Sequence, residues 1–486
     1  MDMSEKKERK SLSAFTIIFI LLILIALVTR VLPKLPADVT SEMLKENISL
    51  ATGVNGASIS DVFMATFNGF KDAIDVAVFV LLLGGFLGIV AKTGALDAGV
   101  GALVKKLKGR ELLLIPILMT LFSIGGSTYG MAEETIAFYA LISATMVAAG
   151  FDTMVAAATV LLGAGAGVLG STVNPFAIGV ALDAAKSAGT NPSNGTVVLL
   201  GVILWITTLV PAVMFVMNYA KKIKSDKGSI ILSLQEQQAM KDNFGHVDFS
   251  NLEFTTKHKM TLGIFAFSFV IMILSLIAWA EYDIHVFEGW TSFLTGTPLG
   301  EWYFGELSMW FTFIGIIIGV VNGFSEKEIV DSFMFGAADI LSVVLIIALS
   351  RGVSVLMSVT FLDKYILNLA SQGLAGLSAL IFAPASYVLY MVLSFFIPST
   401  SGLASVSVPI LAPLAKSLGF SVEVIIMIFS GACGLINLIT PTSGVVMGGL
   451  AAAKVEYGTY FKWVLKLLVM IFIINIVILT AAMMFI

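Results

Sequence analysis

Two adjacent glutamates, Glu133 and Glu134, lie between two apolar runs in the stretch SIGGSTYGMAEET (123–135). An ionisable side chain inside a membrane is costly enough to be a candidate for function. Because adjacent helix positions point about 100° apart, one glutamate can face a cavity while the other pairs with a neighbour. A carboxylate in a cavity could bind a cationic amino group or guanidinium, or carry a proton. The alternative is that the pair only caps the helix that follows it, through the helix dipole.

Arg351 interrupts a second apolar run, IIALSRGVSVLM. Its guanidinium could bind a substrate carboxylate with two parallel hydrogen bonds. An alternative of equal weight is a buried structural ion pair with Glu133, Glu134 or Asp183. The sequence leaves both roles open.

Four polar breaks interrupt apolar runs, at 125–130, 170–175, 398–402 and 440–444. Backbone groups freed from helical hydrogen bonding are expensive in hydrocarbon, so such breaks persist where protein, water or a ligand satisfies them. Serine and threonine supply hydroxyls there, and half-helix ends offer N–H groups to a carboxylate or carbonyls to a cation. Four breaks therefore predict one shared central cavity. Ordinary kinks and packing contacts are the alternative, because these residue types are common in membrane helices.

The composition requires a membrane around these features. Of the 486 residues, 58% are hydrophobic and 12% are charged, against about a quarter charged in an ordinary soluble chain. No basic patch with interleaved aromatic residues suggests a nucleic acid. No GxSxG motif or intramembrane histidine accompanies a nucleophile. The sequence thus predicts an all-α polytopic membrane protein that is not an enzyme and binds no nucleic acid.

A membrane span needs roughly 20 apolar residues. Nine runs meet that length, at 14–32, 73–91, 153–183, 197–219, 259–280, 306–323, 336–358, 421–456 and 459–485. Two further apolar regions, 111–148 and 374–418, are cut in the middle into arms of roughly 14 to 18 residues. Those arms are short for crossing, so we expect two re-entrant hairpins. With lysine-rich segments such as KKLKGR placed inside, the N-terminus is predicted to be cytoplasmic. The lack of disulfides and targeting features suits a bacterial inner membrane.

The two halves of the chain repeat one arrangement. The stretch from Phe67 matches the stretch from Phe333 in length, in glycine placement and in the aspartates Asp72 and Asp339. We expect these aspartates to cap or pack helices rather than to take part in transport. Because one span separates the halves, the second enters the membrane in the opposite orientation, as an inverted repeat does.

This repeat predicts three parts of the chain. The first repeat is 1–219, with its hairpin at 111–148 and its interrupted span at 153–183. The second part, 220–305, holds a cytoplasmic linker, a connecting span at 259–280 and an outer loop. The second repeat is 306–486, with its hairpin at 374–418 and its interrupted span at 421–456.

The motifs at the breaks carry a family resemblance that extends from about Thr16 to the C-terminus. They are GMAEET at 130–135, LLGAGAGVLGSTVNPFA at 161–177, FFIPSTSG at 395–402 and NLITPTSGVVMGGLAAAKVEYGTYFKWV at 437–464. Together they resemble the YfcC family, in the anaerobic C4-dicarboxylate carrier (DcuC-like) group of the ion transporter superfamily.

The resemblance implies a homodimeric secondary carrier with a scaffold domain and a mobile transport domain that work by elevator-like alternating access. It also implies cation sites where each hairpin tip meets the interrupted span of its own half. Carried over by motif, one site uses Ser127, Thr128, Ser171 and Asn174, and the other uses Ser399, Thr400, Thr442 and Ser443. The coupling ion would be Na⁺ or H⁺, and no other cofactor is expected.

The leading hypothesis is exchange of amino acids of the arginine and ornithine type, because the site has two carboxylates and one strong intramembrane arginine. C4-dicarboxylate transport is the alternative, since hydroxyls and helix N-termini can bind carboxylates without arginine. A channel would need a continuous polar pore, which the apolar flanking spans do not offer. The predicted substrate-binding residues are Gly126, Ser127, Thr128, Glu133, Glu134, Asn174, Arg351, Ser399, Thr400, Ser401, Thr442 and Ser443.

Overall fold

A computed structural model describes residues 14–106, 109–245, 253–282 and 284–486. Residues 1–13 and 246–252, which the sequence assigns to cytoplasmic segments, lie outside the described residues. Within the described ranges the regular structure is helical apart from one isolated bridge, between Lys34 and Val54. The prediction of an all-α polytopic fold is therefore confirmed.

The helices of the first half are α1 (Ala14–Val31), α2 (Ser41–Glu46), α3 (Ile59–Asp72), α4 (Ile74–Lys92), α5 (Ala95–Lys106), α6 (Leu114–Tyr129), α7 (Tyr139–Ala148), α8 (Thr153–Leu169), α9 (Val180–Ser187) and α10 (Asn194–Ser225). Two helices follow between the halves, α11 (Leu234–Phe244) and α12 (Thr256–Leu276). The helices of the second half are α13 (Phe304–Asn322), α14 (Glu326–Asp339), α15 (Leu341–Val359), α16 (Leu362–Leu374), α17 (Ala379–Phe396), α18 (Thr400–Ser417), α19 (Val422–Ile436), α20 (Gly444–Ala452) and α21 (Tyr457–Phe485).

Eight helical segments of the described chain are long and apolar enough to cross a membrane. Six of them are α4, α10, α12, α13, α15 and α21, which match six of the nine predicted spans. The predicted span at 14–32 contains α1, and the predicted spans at 153–183 and 421–456 contain shorter helices because their polar turns break them. The other two segments are the first hairpin arms, Glu111–Tyr129 and Ala379–Phe396. Both arms are long enough to cross a membrane, so the prediction that they are too short to cross was wrong, and their length gives no reason for re-entry.

The contacts at the ends of the hairpins give a better argument. At the start of the first hairpin, the Lys224 ammonium pairs with Glu111. At its end, the Lys227 ammonium donates to the Gly150 carbonyl. Both lysines lie at the C-terminal end of α10 and just beyond it, so this hairpin leaves on the side where it entered.

The second hairpin returns to the opposite end of α10. The rings of Phe382, at its start, and Phe420, just after it, lie 5.0 Å apart. The Ser193 N–H, at the N-terminus of α10, donates to Glu423 at 2.7 Å. Since α10 has 32 residues and is about 48 Å long, the two hairpins approach each other from opposite ends.

The same local signal starts the corresponding helix in each half. Ser58 caps α3 and forms a capping box with Asp61, and Ser325 caps α14 and forms one with Glu328. Each box satisfies two N–H groups that the first helical turn leaves without a partner. Hydrogen bonds from Ser58 and Ser325 hold the pKa of Asp61 and of Glu328 below their usual ranges.

The two halves pack through crossed pairs of helices. Helix α3 packs on α15 and α14 packs on α4, while α1 packs on α15 and α13 packs on α4. We call α1, α3, α4, α13, α14 and α15 the crossed-helix body. The hairpins, α8 to α10 and α19 to α21 form a second group, the hairpin body, in which α8 and α19 are buried on almost every face. The division of the chain at 219 and 305 stays a prediction.

Candidate functional site

A cavity of about 220 Å³ lies where the crossed-helix body meets the hairpin body. It collects residues from both hairpin tips, from both interrupted helices and from α4, α15 and the start of α13. The polar side chains that line it are those of Asp72, Asp75, Glu133, Glu134, Thr135, Asn174, Tyr303, Arg351, Ser399, Thr400, Ser401, Asn437 and Ser443.

The first hairpin tip separates its two glutamates. Helix α6 ends at Gly130, which adopts a left-handed conformation with φ of 80°. The chain then forms a 3₁₀ helix over Glu133–Phe138. Glu134 is 3% exposed and accepts a hydrogen bond from the Ala132 N–H at 3.0 Å. Glu133 is partly exposed, so it is the glutamate more accessible from the cavity.

Glycine at position 130 also sets the distance between the tip and the first break. A Cβ atom on Gly130 would lie 2.6 Å from Asn174 Oδ1. Asn174 itself caps the turn that follows, since its Oδ1 accepts from the N–H groups of Phe176 and Ala177. Its Nδ2 donates to Ser171 Oγ at 2.9 Å. The asparagine therefore holds the interrupted helix open beside the tip.

The second tip and the second break each present the start of a helix to the cavity. Ser399 caps α18 by accepting from the Gly402 N–H, and Ser443 caps α20 by accepting from the Val446 N–H. Helix N-termini carry a partial positive charge. This side of the cavity is therefore suited to an anionic group.

Arg351 lies on the crossed-helix side, and its ion-pair partner is Asp72. Arg351 Nε lies 3.1 Å from Asp72 Oδ2. Glu133 lines the same cavity as Arg351. The structural alternative for Arg351 assumed Glu133, Glu134 or Asp183 as its ion-pair partner and missed Asp72. Asp72, for which we expected a capping or packing role, lines the cavity instead.

Several predicted site residues lie outside the cavity lining and hold it together. In the first half, Ser127 Oγ donates to the Gly170 carbonyl at 2.9 Å. In the second half, Thr442 Oγ1 donates to the Phe395 carbonyl at 2.7 Å. In each half a hydroxyl thus joins the hairpin to the interrupted helix.

Three more predicted residues also lie outside the lining. Thr128 and Ser171 donate to the Ile124 and Val168 carbonyls within their own turns. Gly126 faces α8. The structure therefore does not bring the first predicted cation set, Ser127, Thr128, Ser171 and Asn174, together at the cavity, where only Asn174 lies.

The second predicted cation set is more compact. Ser399, Thr400 and Ser443 line the cavity, and Thr442 lies behind them. Among the described residues, no group of three or more histidine, cysteine or acidic side chains could hold a metal ion. Coupling to Na⁺ or H⁺ stays a prediction.

Besides Asp72, sequence reasoning missed four polar residues of the lining, Asp75, Thr135, Tyr303 and Asn437. Asp75 stands three residues after Asp72 in FKDAIDVAVF, across the junction between α3 and α4, and this pair of nearby acidic residues was the signal available in the sequence. Tyr303 was assigned to an outer loop, but its ring packs against that of Phe176 with centroids 5.2 Å apart. No local signal marks Tyr303, because its position depends on packing between the halves.

Comparisons with known proteins find relatives that match most of the chain. The profile of a family described as C4-dicarboxylate anaerobic carrier, DcuC, matches residues 12–484. An uncharacterised protein of Haemophilus influenzae is 31% identical over 412 residues, which cover 84% of this chain and 75% of that protein. A protein of Escherichia coli named "Putative basic amino acid antiporter YfcC" is 27% identical over 425 residues, which cover 85% and 78% of the two chains.

Two solved structures also resemble the chain. The YdaH transporter of Alcanivorax borkumensis aligns with a TM-score of 0.47 at 14% identity, over 97% of this chain and 98% of that one. Neisseria gonorrhoeae MtrF, described as one of a class of antimetabolite efflux pumps, aligns with a TM-score of 0.46 at 17% identity, over 98% and 96%.

Proposed function

Because the chain belongs to the DcuC family of anaerobic C4-dicarboxylate carriers, and so is a multi-pass membrane transporter rather than an enzyme, we propose that it is a secondary exchanger of cationic amino acids of the arginine and ornithine type. The small-molecule substrate would bind in the cavity between the two hairpin tips.

The charge of the cavity is the observation that carries this choice of substrate. Its lining contains the carboxylates of Asp72, Asp75, Glu133 and Glu134 and the guanidinium of Arg351. Four negative groups and one positive group give a formal charge of −3 when all are ionised. Bringing a doubly negative ligand to these carboxylates would cost Coulomb energy, whereas a cationic side chain would gain it. The name of the Escherichia coli relative also refers to basic amino acids.

C4-dicarboxylate transport is the second candidate. The N-termini of α18 and α20 meet the cavity at Ser399 and Ser443, and together with Arg351 they could hold two carboxylates. The description of the family favours this substrate.

We propose elevator-like alternating access as the mechanism. The crossed-helix body would act as the scaffold and the hairpin body as the moving part, with the cavity at their border. We further propose a homodimer in a bacterial inner membrane with a cytoplasmic N-terminus, coupled by exchange or by Na⁺ or H⁺. The first hairpin packs mainly on α8 and α10, and the second packs mainly on α19, α9 and α21, which all belong to the hairpin body, and this supports the division.

Exchange by purified protein in proteoliposomes tests the proposal. Vesicles loaded with unlabelled arginine should take up labelled arginine faster than empty vesicles, and uptake should saturate. Vesicles loaded with succinate, assayed with labelled succinate, form the parallel arm. Succinate exchange without arginine exchange would reverse the order of the two candidates, and non-saturating flux would contradict a carrier.

A further inference from the structure

The guanidinium of Arg351 is held from one side only. Its Nε lies 3.1 Å from Asp72 Oδ2, and the side chains of Arg351 and Asp72 are 22% and 55% exposed. Within the part of the chain that the structure describes, its two Nη groups form no hydrogen bond to a protein acceptor. A guanidinium has five N–H donors in a fixed plane. Asp72 therefore leaves the paired Nη donors available on the wall of the cavity.

We propose that Arg351 binds the α-carboxylate of the substrate and that Asp72 is the positioning residue that orients its guanidinium. Two parallel N–H···O bonds match the planar carboxylate, a geometry that lysine cannot reproduce. This inference rests on the proposed function and narrows it. The substrate must carry a carboxylate as well as a cation, so amines that lack the carboxylate are poor substrates.

Carboxylates in the same cavity as Arg351 are suited to bind the cationic groups of such a substrate. Glu133, Asp75 and Tyr303 line the same cavity as Arg351. A zwitterionic headgroup placed at Arg351 therefore has carboxylates within the cavity for its ammonium and its cationic side chain. A ligand with no carboxylate would leave the Nη donors unmet, which costs binding energy in a partly desolvated site.

The internal repeat supplies a matched control. At the repeat offset, Asp339 corresponds to Asp72 and Gly84 corresponds to Arg351. Asp339 is exposed and lies outside the cavity lining. The pair formed by Asp72 and Arg351 joins the two halves, and its counterpart in the repeat, Asp339 with Gly84, has no guanidinium. Asp339→Asn therefore changes the same residue type at the same helix end without touching the proposed carboxylate site.

The experiment compares arginine with agmatine, which is arginine without its carboxylate. Both compete against labelled arginine uptake in proteoliposomes that contain the full chain. Wild type should prefer arginine by about 10- to 100-fold, the range for charge-assisted hydrogen bonds. Arg351→Gln should weaken arginine by about that factor and agmatine little, so that the preference disappears. Asp72→Asn should lose part of the preference, Asp72→Glu should restore it, and Asp339→Asn should leave it unchanged.

Each result bears on the inference. Equal weakening of arginine and agmatine in Arg351→Gln would overturn the carboxylate contact, and an unchanged preference in Asp72→Asn would overturn the positioning role. If the variants fail to fold, the comparison of arginine with agmatine in wild-type protein is sufficient, because agmatine that competes as well as arginine contradicts the proposal. Wild-type protein that exchanges no arginine would refute the proposed function instead.

Discussion

Helices α6 and α8 approach each other closely, and this leads to a prediction about substitutions at Gly126 and at its neighbour Gly125. A Cβ atom on Gly126 would lie 2.1 Å from the Ala164 carbonyl oxygen, and one on Gly167 would lie 2.0 Å from the Ser123 carbonyl oxygen. Ordinary van der Waals contact begins at 3.4 Å, so Gly126→Ala requires α6 and α8 to separate by more than about 1 Å. The nearest atoms in both cases are backbone atoms, so no flexible side chain can move aside to relieve the overlap.

The expected cost of Gly126→Ala follows from that overlap. Overpacking typically costs about 1–3 kcal/mol, against a gain of about 0.5–1 kcal/mol from replacing a helical glycine with alanine. We expect a net loss of stability of about 1–2 kcal/mol. Because α6 carries the first hairpin tip, its displacement should also reduce transport.

Gly125→Ala is the matched control on the adjacent position. Its Cβ would lie 2.9 Å from Met131 Sδ, and a methionine side chain can move aside at low cost. Thermal unfolding in detergent and initial uptake rates should therefore separate the two variants, with Gly125→Ala close to wild type. Equal melting temperatures and equal uptake for the two would refute the close approach of the helices.

Three further predictions concern acidic and hydroxyl side chains. Glu133→Gln should raise the KM for arginine about tenfold or more, whereas Glu134→Gln should raise it less, since a glutamine oxygen still accepts the N–H that Glu134 binds; equal shifts would contradict this. Burial raises the pKa of Asp152, so the ionised carboxylate lowers the stability of the folded state. At a pH above that raised pKa, Asp152→Asn should therefore have a higher melting temperature than wild type. The difference in melting temperature should vanish as the pH falls below about 3.9, where the carboxyl is protonated in both the folded and the unfolded state. Ser127→Ala leaves the buried Gly170 carbonyl without its hydroxyl donor and should cost about 1–3 kcal/mol without changing the sodium dependence of uptake; a changed sodium dependence would return Ser127 to a cation site.

The helix breaks were predictable because their signals are local. Asn174 and Pro175 end one helix and start the next within a few residues, and Ser399 and Ser443 are N-caps readable from the sequence. Capping depends on the nearest four residues, so no tertiary information was needed. The convergence of all four breaks followed from their order in the repeat.

The direction of each side chain was not predictable in the same way. Ser127 and Thr442 turn away from the cavity because their hydroxyls satisfy carbonyls of the facing segment. The pair formed by Asp72 and Arg351 joins the two halves. Such contacts depend on how the helices are rotated and aligned, which a hydrophobic pattern does not specify.

Helix α10 connects these features in a way that bears on how the tips move. The base of the first hairpin is fixed at its C-terminal end through Glu111 and Lys224, and the base of the second lies at its N-terminal end through Ser193 and Glu423. Pro211 removes one backbone hydrogen bond inside α10, but the segment remains one helix of about 48 Å, so it acts as a strut that sets the spacing between the two bases. Displacement of one hairpin base along this strut would carry the other base with it.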